Sequence, residues 1–191
     1  TTSGRSIRLS EVDDSVIYNN TIKSNTYNGI FLISSSTNKI IQNTIDDSGV
    51  FGIQINNDAS VSDNNTIKDN IIKSGDESGI SSQGMFTIII NNTIKFNVED
   101  GIYLDSSAHR STISDNIIED NEENALHILS NNVLITKNTI DGDTSSAAVL
   151  VSNANNVNMT HNIVEGGSQG IKIVNGPNSY IFNNTIESNS D

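Results

Sequence analysis

Four side chains capable of proton transfer or charge neutralisation stand at related positions of a repeated segment. Tyr103 and Asp105 belong to one copy, His127 takes the position of Tyr103 in the next copy, and Lys172 takes it two copies later. A His base, a Tyr acid and a cation that neutralises a carboxylate are the groups needed to abstract a proton beside a uronate carboxylate. The pattern favours two hypotheses, a catalytic group formed by Tyr103, Asp105, His127 and Lys172, or an ordinary strand surface without catalytic function.

The same position of the segment defines a longer column of side chains. If the copies stack, alternation along each strand places this position on the outer face and brings its side chains into line. We therefore predict a polysaccharide-binding face formed by Phe31, Gln54, Tyr103 and His127.

A repeat of 22 to 27 residues positions these side chains. Its most regular part is Ile-x-x-Asn-x-Ile, with Met159 and Val164 in place of Ile in one copy. The Asn of this motif, called the ladder Asn below, recurs in eight copies as Asn20, Asn43, Asn70, Asn92, Asn116, Asn138, Asn162 and Asn184. Most copies also contain a second segment. It consists of a small residue, an apolar residue, any residue and a second apolar residue. Both segments space apolar residues by two, which is the period of a β-strand, and no helical period is present.

The repeat predicts how the chain folds. One unit cannot bury its apolar side alone, whereas units stacked about 4.8 Å apart bury a continuous column of Ile. We therefore predict an all-β parallel solenoid, a single domain over residues 1–191, with about eight rungs of 22–24 residues and three short strands per rung. The alternative is a leucine-rich repeat, which has a similar period. It is disfavoured because Ile replaces Leu almost throughout and the rest of the unit alternates as a strand does.

The repeat also resembles a known family. Asn92-Thr93-Ile94, followed by Gly101-Ile102-Tyr103-Leu104 and Ile113-Ser114-Asp115-Asn116, is similar to the parallel β-helix repeat of the pectin-lyase-like superfamily, and the resemblance covers practically the whole chain. It implies a right-handed parallel β-helix. It does not specify an activity, because the superfamily includes polysaccharide lyases, mannuronan C5-epimerases, glycoside hydrolases, tailspikes, NosD-like proteins and surface proteins.

The motif associated with the mannuronan epimerases, Tyr-Gly-x-Asp-Pro-His-Glu, is absent from the sequence. The single proline, Pro177, does not belong to such a motif. Whether the chain is an enzyme therefore stays open, with lyase, epimerase or hydrolase chemistry as the candidates. The resemblance also implies an extracellular or cell-surface location.

A second column of the predicted solenoid is acidic. Glu119, Asp141 and Glu165 take equivalent positions in successive copies, and Asp143 lies in a neighbouring turn. Stacked carboxylates repel one another unless they bind a cation, take up protons or extend into water. Oxygen ligands at this density suit Ca²⁺, so we predict a calcium site at Glu119, Asp141, Asp143 and Glu165, with a solvated acidic face as the alternative. No other cofactor is required by the pattern.

Composition limits the partners of the chain. With 10 Lys and Arg against 23 Asp and Glu, the net charge is −13, which disfavours binding to nucleic acid or anionic membranes. No apolar stretch approaches the roughly 20 residues of a membrane span, and the absence of Cys excludes disulfides and thiolate metal sites.

The repeated Asn and the chain ends suggest structural roles. Asn tolerates left-handed backbone, and stacked Asn amides can bond to each other, so the eight Asn are expected to form a structural spine. The longest interval, between Asn43 and Asn70, predicts an extended loop at or near residues 56–60. The first residues, from Gly4 to Leu9, already have the strand pattern, and the last residues stop within a unit. We therefore expect a fragment of a longer protein, or a protomer that stacks end to end.

The sequence leaves two functions open. The first is an extracellular β-helix that engages a polysaccharide or cell-surface glycan along one long face, as part of a carbohydrate-active or tailspike-like protein. The second is a non-catalytic cell-surface or fibre scaffold that associates end to end.

Overall fold

The structure, a computed structural model, describes residues 6–190 and consists of short β-strands joined by turns. The strands are β1 (Ile7–Ser10), β2 (Val16–Tyr18), β3 (Thr21–Asn25), β4 (Ile30–Ile33), β5 (Lys39–Ile41), β6 (Thr44–Ser48), β7 (Ile53–Asn56), β8 (Thr66–Lys68), β9 (Ile71–Lys73), β10 (Ile80–Ser82), β11 (Ile88–Ile90), β12 (Thr93–Lys95), β13 (Ile102–Leu104), β14 (Thr112–Ser114), β15 (Ile117–Glu119), β16 (Leu126–Ile128), β17 (Leu134–Thr136), β18 (Thr139–Asp141), β19 (Ala147–Ser152), β20 (Asn158–Thr160), β21 (Ile163–Glu165), β22 (Gln169–Val174), β23 (Tyr180–Phe182) and β24 (Thr185–Ile186).

Every third strand joins the same sheet, which makes three parallel sheets of eight strands each. Sheet A runs from β1 to β22, sheet B from β2 to β23, and sheet C from β3 to β24. One strand from each sheet forms one rung, so the described chain makes eight rungs, and the predicted parallel solenoid with three strands per rung is confirmed. Of the first predicted strand segment, Gly4 and Arg5 lie outside the described residues, while Ile7–Ser10 is a strand.

Along each strand, side chains alternate between the interior of the solenoid and its surface, and the inward ones pack against those of the adjacent rungs. In β15, Ile118 points inward and is fully buried, whereas its neighbour Ile117 points outward and is 44% exposed. Ile118 lies in register with Ile94 and Ile140 on the adjacent rungs. Repetition of this arrangement fills the interior with Ile, which is the residue type that packs well on a pleated surface.

The eight Asn form a continuous ladder between sheets B and C, as predicted. Asn92 shows the pattern, since its backbone N and its Nδ2 both donate to Oδ1 of Asn116, at 2.8 and 3.0 Å. The same Nδ2 also donates to the carbonyl oxygens of Ile67 and Ile90. Inner members of the ladder are only about 1% exposed, so each amide satisfies backbone groups that water does not reach.

The backbone conformation at this corner differs from the expectation. The left-handed residue is the one before each ladder Asn, and its side chain points to solvent or lies near the surface. All eight of these residues have positive φ: Asn19, Gln42, Asp69, Asn91, Asp115, Lys137, His161 and Asn183. The ladder Asn therefore contributes hydrogen bonds through its side-chain amide. The preceding residue adopts the left-handed conformation of the turn, and several residue types occur at that position.

Tight packing between rungs explains the small residue that precedes the strands of sheet A. A Cβ on Gly101 would lie 2.5 Å from Cγ2 of Ile118 and 2.6 Å from the carbonyl oxygen of Ala125. The four extra residues between Asn43 and Asn70 lie between β7 and β8, where the predicted extended loop is found. Within residues 6–190, no helix has the length and apolarity to cross a membrane.

Candidate functional site

The outer column of sheet A has the predicted alignment. Parallel pairing places the following residues in register, in this order: Arg8, Phe31, Gln54, Ser81, Tyr103, His127, Leu150 and Lys172. The spacing of the repeat was sufficient to predict which residues are adjacent in this column. Their exposure and their partners differ from the expectation at several positions.

Tyr103 and His127 are in contact at the centre of the column. Their ring centroids are 5.3 Å apart and the ring planes lie at 80°, so one ring edge faces the other ring. Both side chains are half-buried. Adjacent rungs of sheet A therefore present two rings in edge-to-face contact.

A buried carboxylate orients the imidazole of His127. Oδ2 of Asp100 lies 3.1 Å from Nδ1 of His127, and Asp100 is only 4% exposed. Oδ1 of Asp100 accepts hydrogen bonds from the backbone N and the Nδ2 of Asn124, at 3.0 and 2.9 Å. Because the carboxylate accepts hydrogen bonds, Nδ1 carries a hydrogen, and when the ring is neutral the lone pair lies on Nε2.

The Tyr103 hydroxyl is held in its protonated form. Burial raises the pKa of Tyr103, and the negative charges of Asp105 and Asp100 raise this pKa further. A neutral phenol is a hydrogen-bond donor, whereas Nε2 of a neutral His127 ring with its hydrogen on Nδ1 is an acceptor. The two adjacent rings therefore combine one donor with one acceptor or base.

Asp105 hydrogen-bonds within its own turn rather than to His127, and its role in the predicted catalytic group stays a prediction. Its Oδ1 accepts hydrogen bonds from the backbone N and the hydroxyl of Ser107 at 3.1 and 3.2 Å, and from the hydroxyl of Ser106. Asp105 therefore stabilises the turn after β13. The carboxylate that contacts His127 is Asp100, which the repeat pattern does not reveal because this residue lies in the turn before the strand.

Lys172 stands apart from this pair. Leu150 occupies the register position between His127 and Lys172, which puts Lys172 two strand spacings, or about 9.6 Å, away along the sheet. Lys172 is exposed and lines a cleft of about 780 Å³ together with Ile181, Ile186 and Glu187. The structure therefore does not bring Lys172 to Tyr103.

The other two predicted binding residues differ in accessibility. Phe31 is only 4% exposed, and the guanidinium of Arg8 lies 5.9 Å from its ring centroid, so its ring is not an open platform for a sugar. Gln54 is half-buried, and its Oε1 accepts a hydrogen bond of 2.7 Å from Nδ2 of Asn28. Tyr103 and His127 are therefore the aromatic members of the column that solvent partly reaches.

A line of carboxylates lies along the corner that precedes sheet A. Glu77, Glu99 and Glu123 each lie two residues before the small residue that starts a strand segment of sheet A, on three successive rungs. Partial burial raises the pKa of Glu99, and the charges of Glu77, Glu123 and Asp100 raise it further, while a hydrogen bond from Ser78 opposes this. The corner before sheet A is thus a site of repulsion between like charges.

Replacement of Glu99 by Gln should therefore stabilise the fold. Because the pKa of Glu99 is raised in the folded state, its ionisation lowers stability as the pH rises from about 4 towards 7. At pH 7 we expect E99Q to increase Tm by about 1–3 °C. The gain should shrink at pH 4, where the glutamate is protonated. Thermal unfolding followed by circular dichroism at both pH values measures it.

The exposed Asp58 offers a matched control, since D58N also removes one negative charge. An equal rise in Tm for D58N and E99Q would show that net charge, rather than the local repulsion at Glu99, controls stability.

Three of the predicted calcium ligands end strands of sheet C, and Asp143 lies in the turn after β18. Nζ of Lys95 lies 3.1 Å from Oε1 of Glu119, and Asp141 is in register with Glu165. Oδ1 of Asp143 accepts hydrogen bonds from the backbone and hydroxyl of Ser145, which lower the pKa of Asp143. Burial, together with the charges of Asp120 and Glu119, raises the pKa of Asp141.

In residues 6–190, no three His, Asp or Glu side chains converge in an arrangement that could hold a metal ion. Calcium binding by Glu119, Asp141, Asp143 and Glu165 stays a prediction.

The fold and the site together define the class, a right-handed parallel β-helix with a polar and aromatic column on one sheet. The chain belongs to the right-handed β-helix family, whose model matches residues 1–109 and again residues 100–191. No curated protein sequence matches the chain significantly.

Solved structures with the same fold include two epimerases and an adhesin. The periplasmic alginate epimerase AlgG T265N mutant superposes with a TM-score of 0.78 at 16% identity, over 96% of this chain and 48% of that one. The mannuronan C-5 epimerase AlgE4 A-module of Azotobacter vinelandii gives 0.68 at 17% identity, over 95% and 58%. The Streptococcus pneumoniae surface protein and adhesin PfbA gives 0.54 at 12%, over 94% and 68%.

At these sequence identities, the comparisons establish a shared fold alone. The present chain spans about half the length of the AlgG structures that it matches.

Proposed function

We propose that this chain engages a polysaccharide or cell-surface glycan along the outer face of sheet A, outside the cytoplasm, as part of a carbohydrate-active protein. The observation that carries the proposal is the Tyr103–His127 pair, in which buried Asp100 orients the imidazole. Aromatic rings pack against the C–H faces of sugars, and oriented polar groups bond to hydroxyls. The eight parallel strands of sheet A, about 4.8 Å apart, offer room for several sugar units in a row.

The fold relatives support this proposal. Two of the structures described above are alginate or mannuronan epimerases, which act on polysaccharides, and AlgG is periplasmic while PfbA is a surface protein and adhesin. Proton transfer at a bound sugar is consistent with the site, with Nε2 of His127 as base and the Tyr103 hydroxyl as acid. Asp100 would act as a positioning residue, because it contacts His127 and lies beneath the surface.

A glycan array followed by calorimetry tests the proposal. We expect the double variant Y103F/H127A to bind the selected glycan about tenfold or more weakly than the native chain, with an unchanged circular dichroism spectrum. A matched control is L150A, which alters the next position of the same column. Equal affinities of the native chain and Y103F/H127A would remove this pair from the proposed binding face.

The scaffold function remains the second candidate. The Asn ladder and the uniform Ile core favour it, because they build a long and rigid rod without any requirement for a site. Ile181 and Ile186 of the last described rung are 44% and 48% exposed, whereas their counterparts on inner rungs are fully buried. A further rung of the same polypeptide or the first rung of a second copy would bury them. Light scattering over a range of concentrations, compared between the native chain and I181K, distinguishes a growing species from a monomer.

A further inference from the structure

The charges around the Tyr103–His127 pair restrict what it can bind. The line of Glu77, Glu99 and Glu123 lies along the corner that leads into sheet A, and the backbone N of Glu123 donates to the carbonyl oxygen of Glu99. Glu77 and Glu99 are half-buried and Glu123 is exposed. On residues 6–190, none of these three carboxylates forms an ion pair with a Lys or Arg.

Two further carboxylates reinforce this negative potential beneath and beside the pair. Asp100 is buried under His127, and Asp105 follows the strand that carries Tyr103. Both act electrostatically on the Tyr103 hydroxyl and raise its pKa. A carboxylate of a ligand placed over these rings would be repelled by these fixed charges of its own sign.

The cations near these rungs lie on other parts of the rod. The guanidinium of Arg110 lies 5.5 Å from the ring centroid of Phe86, and Lys137 lies in the corner between sheets B and C. Nζ of Lys95 lies 3.1 Å from Glu119 and 5.1 Å from the ring centroid of Phe96, and Lys73 lies 3.2 Å from Asp46, in both cases on sheet C. Lys172, on sheet A itself, is two strands away from His127. In residues 6–190, no Lys or Arg side chain contacts Tyr103 or His127, so the pair has no adjacent Lys or Arg to neutralise a uronate carboxylate.

We infer that the Tyr103–His127 face selects a glycan segment free of carboxylate and sulfate groups and rejects polyuronates. This inference rests on the proposed function and names the substrate class of the same site. Glu77, Glu99 and Glu123 are its specificity determinants, acting by repulsion of anions rather than by contact with a neutral ligand. It separates this chain from the polyuronate substrates named for the epimerases of the same fold.

Matched pairs of oligosaccharides test the inference. The first pair is mannohexaose and the hexamer of mannuronate, and the second is the galacturonate hexamer and its methyl ester, so that charge is the main change within each pair. Calorimetry at low salt, with EDTA, should give the neutral member an affinity about tenfold or more above that of the anionic member. Added NaCl should narrow the difference, because it screens the repulsion.

Charge-removing variants identify the residues responsible. E77Q/E99Q/E123Q should bind the uronate oligomers about tenfold more tightly than the native chain, with little change for the neutral ones. The control D14N/D58N/D115N removes the same number of charges at exposed positions away from the site, and it should leave both affinities unchanged.

Three results would overturn the inference. They are a uronate preference of the native chain at low salt, uronate binding that appears with Ca²⁺ and disappears with EDTA, and equal effects of the two triple variants. The first two would still support a glycan-binding face. Failure of all neutral and anionic glycans to bind would instead overturn the proposed function, and with it this inference.

Discussion

Replacement of Asn116 by Ala should lower the free energy of unfolding by about 3–5 kcal/mol. Its Oδ1 accepts hydrogen bonds from the backbone N and the Nδ2 of Asn92, and its Nδ2 donates to Asn138 and to the carbonyl oxygens of Ile89 and Ser114. Asn116 is about 1% exposed, so water cannot replace these bonds without opening the rungs. Urea unfolding followed by circular dichroism measures the loss.

An exposed Asn of the same chain provides the comparison. Asn155 lies on a corner in contact with solvent, and N155A should change the free energy of unfolding by less than about 0.5 kcal/mol. A cost below about 1 kcal/mol for N116A would contradict the role of the ladder as the main polar support of the fold.

The second large effect is expected in the apolar interior. Ile118 is fully buried between Ile94 and Ile140, and I118A should lower the free energy of unfolding by about 2–5 kcal/mol, through lost burial and the cavity that remains. Chemical unfolding of the variant, with unchanged denaturant dependence, provides the value.

The adjacent residue on the same strand is the control. Ile117 points outward and is 44% exposed, so I117A should cost about 1 kcal/mol or less, mainly through the lower strand propensity of Ala. Similar losses for I117A and I118A would mean that the two faces of β15 contribute equally, against the inward packing of Ile118.

Much of the fold could be predicted because several independent features of the repeat specify the same strands and the same register. The spacing of two between apolar residues identifies the strands, and eight copies with one ladder Asn each determine the register, since a slip by one residue would expose every Ile at once. The approximate position of the extended loop could be predicted by counting residues between copies of the motif. The interval from Asn43 to Ile53 has the same length as in neighbouring copies, so the extra residues lie after Ile53.

The site was harder to predict because it depends on turns. Asp100 and His127 are 27 residues apart, and their contact depends on the path of the corner before β13, which no periodicity describes. Asp105 has the right residue type on the right side, yet Ser106 and Ser107 draw it into a local turn. The burial of Phe31 likewise depends on neighbouring side chains, among them Arg8, rather than on its position in the strand.

The Asn ladder has a direction as well as a stabilising role. From Asn20 to Asn162, each side-chain N–H points to the Oδ1 of the next rung, so the amide dipoles add along the axis as peptide dipoles do in a helix. A further rung, from this polypeptide or from another copy, can continue the ladder only in the same head-to-tail order. A two-fold arrangement would oppose like ends. Any assembly built through this ladder is therefore vectorial and open-ended, rather than a closed symmetric dimer.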